Sequence, residues 1–259
     1  MSNNFPIGYD RRILASVDST NAEAVRIAKT VSGPTWILGL RQTQGRGRRG
    51  RAWMDPEGNF AGTLLLFPQG DPHSFALRSF VMSLALADSF ETLFPHQVTC
   101  QLKWPNDALL NGAKVAGILL ETVALSAGQM ALAIGVGVNL KNAPEASNLE
   151  NRALPPASIY GLTGQVITPE AFLPTLASAF AVREAQFNAY GFDPIRTAWL
   201  ERAANIGQMI TARTQRDEYM GRFDSVDQSG HLILDTTDGR RAIAAADIYF
   251  RGCYNVIDH

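Results

Sequence analysis

The chain has little net charge, few cysteines and no long apolar run, and each shortage excludes a class of protein. Its 23 basic and 24 acidic residues leave a formal charge of -1 over 259 residues, so no overall field attracts DNA or an acidic membrane. Cys100 and Cys253 form no CxxC pair, and the histidines make no metal-binding cluster. Neither a spanning segment nor a secretory signal is present. These absences predict a cytoplasmic protein without a structural zinc site, a membrane anchor or a DNA partner.

The first four fifths of the chain have the pattern of a mixed α/β domain. Thr20 and Glu23 have the spacing of a capping box, which predicts that a helix begins there. Asn111-Gly112 between two apolar runs predicts a hairpin. Thr168 and Pro169 are suited to the cap and the first turn of a helix. The remaining periodicity predicts helices over 74–94 and 168–203, the latter with a break before Pro194, and strands over 36–42, 61–67, 98–104 and 130–140.

From about residue 205 the pattern changes to short alternating segments separated by Gly and Asp turns. That spacing is typical of a small antiparallel barrel. No low-complexity linker separates the two parts, so we expect the barrel to pack against the main domain. The sequence therefore predicts two domains, residues 1–204 and residues 205–259.

A loop of four arginines and three glycines, GRGRRGR at 45–51, is the most unusual stretch of the chain. Its glycines match the dinucleotide pattern GxGxxG, but Pro56 and Gly58 prevent the helix that a dinucleotide site requires. No P-loop motif exists, and one basic loop offers few contacts to a nucleic acid. The arginines should repel one another without an anion, so we expect this arginine loop to be disordered when empty and ordered around phosphate.

Other polar groups follow predicted strands. KWPND (103–107) ends one strand with a cation, a turn and a carboxylate, and Lys114 lies on the returning arm of the hairpin. Asp107 alone could be an ordinary turn residue, and Lys114 an ordinary edge-strand lysine. Gly117 and the GVGVN segment (135–139) leave room for a ligand to approach the backbone.

Taken together, these motifs resemble those of the biotin protein ligases. The resemblance rests on their common order along the chain, which is STN (19–21), GRGRRGR (45–51), KWPND (103–107), KVAGILLE (114–121) and GVGVN (135–139). It covers nearly the whole chain, from about residue 10 to the C-terminal barrel. It implies an α/β (α+β) fold, with a class II aminoacyl-tRNA-synthetase and biotin–lipoyl ligase-like catalytic domain built on a mixed β-sheet, plus a C-terminal SH3-like β-barrel.

The resemblance also implies an activity in two steps. The biotin carboxylate attacks the α-phosphate of ATP, releasing pyrophosphate and leaving biotinyl-5'-AMP. A lysine of a biotin carboxyl carrier domain of a biotin-dependent carboxylase then attacks this anhydride and forms an amide. The chemistry brings anions together, so fixed cations and Mg²⁺ should dominate catalysis.

By resemblance, Lys114, Arg48 and Asp107 are the catalytic residues, with Lys114 acting as a cation and Asp107, ionised, as the magnesium ligand. The residues expected at the biotin subsite are Ser19, Thr20, Asn21, Gln42, Arg46, Gly47, Arg48, Lys114, Gly117, Gly135 and Gly137. Those expected at the ATP subsite are Arg46, Arg48, Arg49, Arg51, Trp53, Lys103, Asn106, Asp107, Lys114 and Asn139. Trp53 would lie beside the adenine, unless it is simply a core aromatic.

Some features depart from the family's pattern. STN arrives at residue 19, which leaves no room for the DNA-binding module of the repressor members. Many relatives have a serine before the leucines of the strand that follows the arginine loop. Here that stretch reads Ala61-Gly62-Thr63, which puts a biotin contact by that serine in doubt.

Two other functions remain open at this point. A lipoate–protein ligase would share the fold and the adenylation chemistry, although the arginine-rich loop favours biotin. A sensor of biotin or nucleotide without catalysis is the other, against which the retained Lys114 argues. Exposed strand edges could pair with a second subunit, giving a homodimer, or with the carrier domain.

Overall fold

The structure is a computed structural model that describes residues 5–145 and 154–250. Its first part contains seven strands: β1 (Asp10–Leu14), β2 (Thr35–Gly39), β3 (Phe60–Leu66), β4 (Cys100–Lys103), β5 (Asp107–Leu110), β6 (Ala113–Ala124) and β7 (Met130–Val138). The helices are α1 (Thr20–Ile27), α2 (Arg78–Leu93), α3 (Ile159–Thr163), α4 (Pro169–Tyr190) and α5 (Phe192–Glu201). The predicted segments are confirmed as elements with small shifts at their ends, and β1 is an additional strand.

The seven strands form one mixed sheet in the order β1-β2-β3-β7-β6-β5-β4. Only β1 runs parallel to its neighbour, and the other pairs are antiparallel. Register places Thr63 opposite Gly135 and Ala61 opposite Gly137. Small residues therefore lie side by side in the middle of the sheet, which lets other parts of the chain approach the strands closely on one face.

Alternation along the strands sends side chains into two separate apolar layers. Ile37, Leu65 and Ala133 pack with α1 on one face. Trp36, Leu38 and many others pack on the opposite face with α2, α4 and α5 in the main core. The face that carries α1 is only partly covered, and the space beside this helix becomes the functional cavity described below.

Two local predictions have different outcomes. The Asn111-Gly112 hairpin is confirmed, since both residues have positive φ (51° and 81°) between β5 and β6. The predicted start of a helix is confirmed, since α1 begins at Thr20, but the capping box is wrong, because the N-cap is Ser19 and its side chain makes no capping hydrogen bond. The hydroxyl of Thr20 instead donates to Oε1 of Gln42. The predicted start of α4 is confirmed, because the Thr168 side chain accepts a hydrogen bond from the Ala171 amide and Pro169 is the first residue of the helix.

The C-terminal part is a five-stranded antiparallel sheet. Its strands are β8 (Met209–Arg213), β9 (Glu218–Val226), β10 (Leu232–Thr236), β11 (Gly239–Ile243) and β12 (Asp247–Phe250). They are ordered β11-β10-β9-β8-β12, and among the described residues no pairing of β11 with β12 closes the sheet. Closure into a barrel therefore stays a prediction.

The small sheet packs directly against the main domain, as predicted. Its buried side chains Phe223, Val226 and Ile248 belong to the same core cluster as α2 and α5. The Trp104 indole donates to the carbonyl of Gly230 at 3.0 Å across the junction. In the part of the chain that the structure describes, no helix is both long and apolar enough to cross a membrane.

Candidate active site

A cavity of about 540 Å³ opens between the α1 face of the main sheet, the arginine loop and the edge of the C-terminal sheet. Every residue given a biotin or ATP role in the sequence analysis lines this cavity, except Arg49. The lining also includes residues 246–249 from the small sheet, which the sequence did not suggest. Their roles remain predictions, but the structure brings these distant segments into one site.

The floor of the cavity is a row of glycines that is covered by protein side chains. A Cβ atom on Gly137 would lie 2.3 Å from the Trp53 ring, and one on Gly135 would lie 2.4 Å from Oδ1 of Asn21. Gly117 also lies under Trp53, at 3.2 Å from its ring. From the sequence, a ligand was expected to lie on these glycines. In the structure, these positions must be glycine because the side chains of Trp53 and Asn21 occupy the space that a Cβ atom would need.

One end of the cavity is a polar network built on α1. The Thr20 amide and hydroxyl both donate to Oε1 of Gln42, at 2.9 and 3.1 Å. The hydroxyl oxygens of Thr63 and Thr20 lie 2.8 Å apart, and Thr63 donates to Oδ1 of Asn21 at 2.6 Å. Thr63 is fully buried, and its hydroxyl belongs to this network. Such groups suit the neutral, polar head of a ligand.

The other end of the cavity carries charge. Nζ of Lys114 lies 2.7 Å from Oδ1 of Asp107, and its side chain remains 35% exposed, toward the cavity that it lines. Burial disfavours the ionised form of Asp107, but Lys114 and Lys103 outweigh it and lower the pKa of Asp107 below its usual value. Asp107 is therefore ionised at neutral pH, as predicted. The pair gives a cationic ammonium held in place beside the cavity.

Arg48 lies close to this ion pair. Its guanidinium donates to Oδ1 of Asn106 at 3.2 Å, while Nδ2 of Asn106 donates to the carbonyl of Ile118 at 2.6 Å. Burial lowers the pKa of Arg48, although Asp247 and Asp107 oppose that shift. An arginine stays protonated even so. Asn106, expected at the triphosphate, thus also anchors Arg48 to β6.

The arginine loop is held by carboxylates from other parts of the chain. Arg49 and Arg51 each donate to Oδ2 of Asp247 in β12, at 2.6 and 2.8 Å. Arg46 lies 3.9 Å from Oε2 of Glu121 in β6. The arginines do repel one another, since Arg49 and Arg51 add to the effect of burial in lowering the pKa of Arg48, but carboxylates of the chain itself offset this repulsion. The prediction that no α-helix follows the arginine loop is confirmed, because Arg48–Gly50 form a single 3₁₀ turn and the next element is β3.

This contact predicts how the loop responds to a protease. We expect Asp247→Ala to speed tryptic cleavage after the loop arginines by about tenfold, because local opening becomes easier when two ion pairs are lost. Cleavage would be followed by mass spectrometry of the native protein. Asp238→Ala is the matched control, since Asp238 only approaches Arg241 at 3.9 Å on the outer hairpin. Equal cleavage of the Asp247 variant and the control would show that Asp247 does not restrain the loop.

Two remaining predicted residues have specific surroundings. Nδ2 of Asn139 donates to the carbonyl of Ala157 at 3.0 Å, which leaves its Oδ1 and one N–H for a ligand. Lys103 lies with its ammonium 5.5 Å from the centre of the Phe250 ring. Both side chains remain positioned at the cavity wall, where a nucleotide would meet them.

Three acidic residues had no role predicted from the sequence: Asp247, which lines the cavity, and Asp55 and Glu121, which contact residues that line it. Glu121 could have been suspected from strand alternation, since it lies four residues after Gly117 in β6. Asp247 gave no signal, because it is separated from the loop by almost the whole chain. Asp55 follows the arginine loop directly, and its Oδ2 accepts the backbone amide of Gln42 at 3.1 Å. It therefore ties the two ends of the loop together.

Asp55 is also a group whose titration should affect stability between acid and neutral pH. Burial raises the pKa of Asp55 to about 6, although hydrogen bonds from Gln42 oppose the shift. A carboxyl whose pKa is higher in the folded than in the unfolded state adds stability at low pH. That stability is complete below about pH 4 and is lost as pH rises through about 6.

We therefore expect Asp55→Asn to raise the melting temperature at pH 8, by about 2–4 °C, while leaving it nearly unchanged at pH 4. The asparagine keeps an acceptor for the Gln42 amide but carries no charge to desolvate. Differential scanning calorimetry at both values of pH measures this, with Asp238→Asn on the surface as control. A stabilisation of equal size at both pH values would contradict the assignment.

The comparisons with known proteins agree with this geometry. Residues 13–139 match the biotin/lipoate A/B protein ligase family, and residues 206–251 match the biotin protein ligase C-terminal domain. A biotin–[acetyl-CoA-carboxylase] ligase of Paracoccus denitrificans is 51% identical over 240 residues, which are 93% of this chain and 100% of that protein. The bifunctional ligase/repressor BirA of Bacillus subtilis is 30% identical over 83% of this chain, which spans 65% of that protein.

Solved structures show the same fold. The biotin protein ligase of Aquifex aeolicus in complex with biotin and ATP superimposes with a TM-score of 0.78 at 24% identity, covering 92% of this chain and 97% of that one. The Leishmania major biotin protein ligase in complex with biotinyl-5-AMP gives 0.66 at 20% identity, covering 91% and 99%.

The chain therefore belongs to the biotin/lipoate A/B protein ligase family. Its C-terminal match and its 51% identity to a named ligase place it with the biotin protein ligases. The fold class predicted from the sequence is confirmed for the mixed catalytic sheet and for the antiparallel C-terminal sheet.

Proposed function

We propose that this protein activates biotin with ATP, forming biotinyl-5'-AMP, and then transfers the biotin to a lysine of a biotin carboxyl carrier domain. Membership among the biotin protein ligases makes it a ligase. The carrier of a carboxylase as acceptor is supported by the name of the Paracoccus relative, a biotin–[acetyl-CoA-carboxylase] ligase.

The observation that carries the proposal is the polarity of one cavity. Its α1 end presents uncharged donors and acceptors from Thr20, Asn21 and Gln42, whereas its other end presents Lys114 and Arg48. The first set suits the neutral ring system of biotin, which hydrogen-bonds but carries no charge. The second suits a carboxylate facing a phosphate. A molecule of biotin laid along the cavity would thus place its carboxylate at Lys114.

The first step joins two anions, and the fixed cations make that possible. An oxygen of the biotin carboxylate attacks the α-phosphorus, the bond from that phosphorus to the β-phosphate oxygen breaks, and pyrophosphate leaves. Lys114 is held by Asp107 at 2.7 Å, so its charge is already aimed when the substrates arrive. Such preorganisation lowers the barrier because no reorientation is needed as charge develops. Lys114 contributes charge and does not act as a base.

In the second step, the amine of the acceptor lysine attacks the carbonyl carbon of biotinyl-5'-AMP. The bond to the phosphate oxygen breaks, AMP leaves with the electron pair, and the ammonium formed loses its proton. Arg48 and its neighbours in the arginine loop cover the site and keep water from the anhydride. The hydrogen bond from Arg48 to Asn106 holds Arg48 in position over the site.

Mg²⁺ is included in the proposal as an ion that arrives with the triphosphate. Among the described residues no group of three or more His, Cys, Asp or Glu side chains could hold a metal ion by itself. Asp107, a carboxylate at this end of the cavity, fits an ion bound mainly by phosphate oxygens and water, as is usual for Mg²⁺. The ion would supply charge neutralisation to the phosphates. Lys114 and Arg48 bind and orient the same phosphate groups whether or not the ion is bound.

A direct assay tests the function. Purified protein is incubated with biotin, ATP labelled at the α-phosphate, and Mg²⁺, and labelled biotinyl-5'-AMP is separated by chromatography. We expect biotin-dependent formation of the adenylate and, once a carrier domain is added, a mass increase on one lysine. Absence of a biotin-dependent adenylate would refute the proposal. Efficient replacement of biotin by lipoate would instead favour a lipoate–protein ligase, the less supported alternative.

The proposal has three further parts. We place the boundary between the domains at residues 204 and 205, supported by the connection from the end of α5 at Glu201 to the start of β8 at Met209. A cytoplasmic location is supported by the two cysteines, which are far apart in the sequence. A homodimer is supported by the edge strand β1, whose side chains are largely exposed, whereas the net charge of -1 gives no support to DNA binding.

A further inference from the structure

Glu121 is a carboxylate that does not line the cavity but contacts Asn21 at its uncharged end. One face of β6 carries every second residue of the strand, and Gly117, Leu119 and Glu121 therefore lie on the same face of the sheet. Gly117 and Leu119 line the cavity, whereas Glu121 is the next member of the row and lies behind Asn21. Any effect of Glu121 on a ligand at this end must therefore pass through the side chains that it contacts.

The closest of these contacts is to Asn21. Nδ2 of Asn21 donates to Oε2 of Glu121 at 2.6 Å, and Oδ1 of Asn21 accepts from Thr63 at 2.6 Å. An ionised carboxylate can only accept hydrogen bonds, so it selects the NH₂ side of the amide. Asn21 is only 4% exposed, and an amide buried in this way has few alternative partners. Glu121 thus fixes which way the Asn21 amide faces.

The orientation decides the chemistry that the cavity floor presents. With the amide held this way, the carbonyl oxygen of Asn21 lies over Gly135 and toward Thr63. A flipped amide would present N–H groups at the same place. The ring of biotin contains a urea group with two N–H donors, which require acceptors. The orientation observed here is therefore the one that suits a donor from the ligand.

The same carboxylate also reaches the arginine loop. Oε2 of Glu121 lies 3.9 Å from Nη2 of Arg46, and their side chains are 36% and 50% exposed. The pair is partly solvated, so its attraction is weak. The short hydrogen bond to Asn21 is the stronger of the two contacts, and it is the one that should dominate binding.

We propose that Glu121 is a positioning residue for biotin recognition, which holds the Asn21 amide with its carbonyl oxygen available to the urea group of the ligand. This inference rests on the proposed function, because it takes biotin as the ligand. It adds a residue outside the cavity that sets the affinity for biotin without touching biotin or ATP.

The test begins with biotin binding to the purified full-length protein by isothermal titration calorimetry, without ATP. We expect Glu121→Ala to weaken binding about tenfold, the effect of losing one well-formed hydrogen bond to a charged group. Glu121→Gln keeps an acceptor oxygen and should lose only about threefold. Glu201→Ala, an exposed carboxylate at the end of α5, is the matched control and should bind like the parent.

Kinetics then distinguish positioning from a merely structural effect. In biotin-dependent exchange of pyrophosphate into ATP, Glu121→Ala should raise the KM for biotin about tenfold, and leave kcat and the KM for ATP within about threefold. In an Asn21→Ala background, Glu121→Ala should cause no further loss, because its route to the ligand is already gone. Additive losses, or equal losses for biotin and ATP, would overturn the inference.

A swapped pair covers the case in which Glu121→Ala does not fold. Asn21→Asp alone places two carboxylates together and should weaken biotin binding. Adding Glu121→Gln restores a donor–acceptor contact in the opposite sense and keeps an acceptor for Thr63, so binding should recover. Failure to recover would count against the role of Glu121. A parent protein that binds no biotin would refute the proposed function itself, whereas a binding parent with insensitive Glu121 variants would refute only this inference.

Discussion

Lys114→Ala is expected to lower the rate of biotinyl-5'-AMP formation by about 10³-fold, the upper range for removing one preorganised charged group from a transition state. Lys114 is the ammonium that Asp107 holds at the charged end of the cavity, at 2.7 Å. Without it, the carboxylate of biotin and the phosphate approach each other with less charge compensation. Biotin-dependent exchange of labelled pyrophosphate into ATP measures the step, and loss of less than about tenfold would exclude this role.

Lys114→Ala should also change the stability of the protein, and this effect must be distinguished from the loss of catalysis. Burial disfavours the ionised form of Asp107, and Lys114 is the largest of the cationic influences that oppose this effect. Removing Lys114 should therefore raise the pKa of Asp107 and lower stability. Lys114→Ala/Asp107→Asn removes the buried charge with its partner, and should recover thermal stability without recovering activity. Lys29→Ala, an exposed lysine after α1, controls for loss of a lysine in general.

Arg48→Gly is expected to release biotinyl-5'-AMP about 10–100 times faster than the parent, an effect of the size expected for losing one charge-assisted contact and its cover. Arg48 is half-buried beside Asn106, and glycine in its place would leave the anion without this partner and the mouth of the cavity open. The freed anhydride would then react with unrelated amines. The first step should persist, because Lys114 is untouched.

Two measurements check this result. Mass spectrometry of a bystander protein in the same reaction should show biotin on several of its lysines, and a rapid gel-filtration step should show how long the adenylate stays bound. Arg216→Gly, in the exposed turn before β9, is the matched control. A variant that held its adenylate as long as the parent, with no bystander labelling, would show that Arg48 does not close the site.

Several parts of the fold followed from local sequence alone. Asn111-Gly112 produced its hairpin because both residues tolerate positive φ, and Thr168-Pro169 produced the start of α4 because a hydroxyl cap and a fixed φ act within one turn. The capping box failed because α1 begins one residue earlier than that pattern requires, with Ser19 as the N-cap and Thr20 as the first helical residue. The Thr20 hydroxyl instead donates to Gln42, 22 residues away, a contact that the local pattern could not show.

For the site, the sequence determined which chemistry the chain can perform, because Lys114, Asp107 and the arginine loop are the residue types that phosphate chemistry needs. Only the tertiary structure decided how those groups are held. Asp247 reaches Arg49 and Arg51 from the far end of the chain, and Glu121 orients Asn21 from a neighbouring strand. Electrostatic and hydrogen-bond contacts depend on distances in space, and a sequence fixes such distances only within a turn or a strand. The sequence could not show which carboxylates offset the repulsion within the loop, because Asp247 becomes a neighbour of Arg49 and Arg51 only when the two sheets pack together.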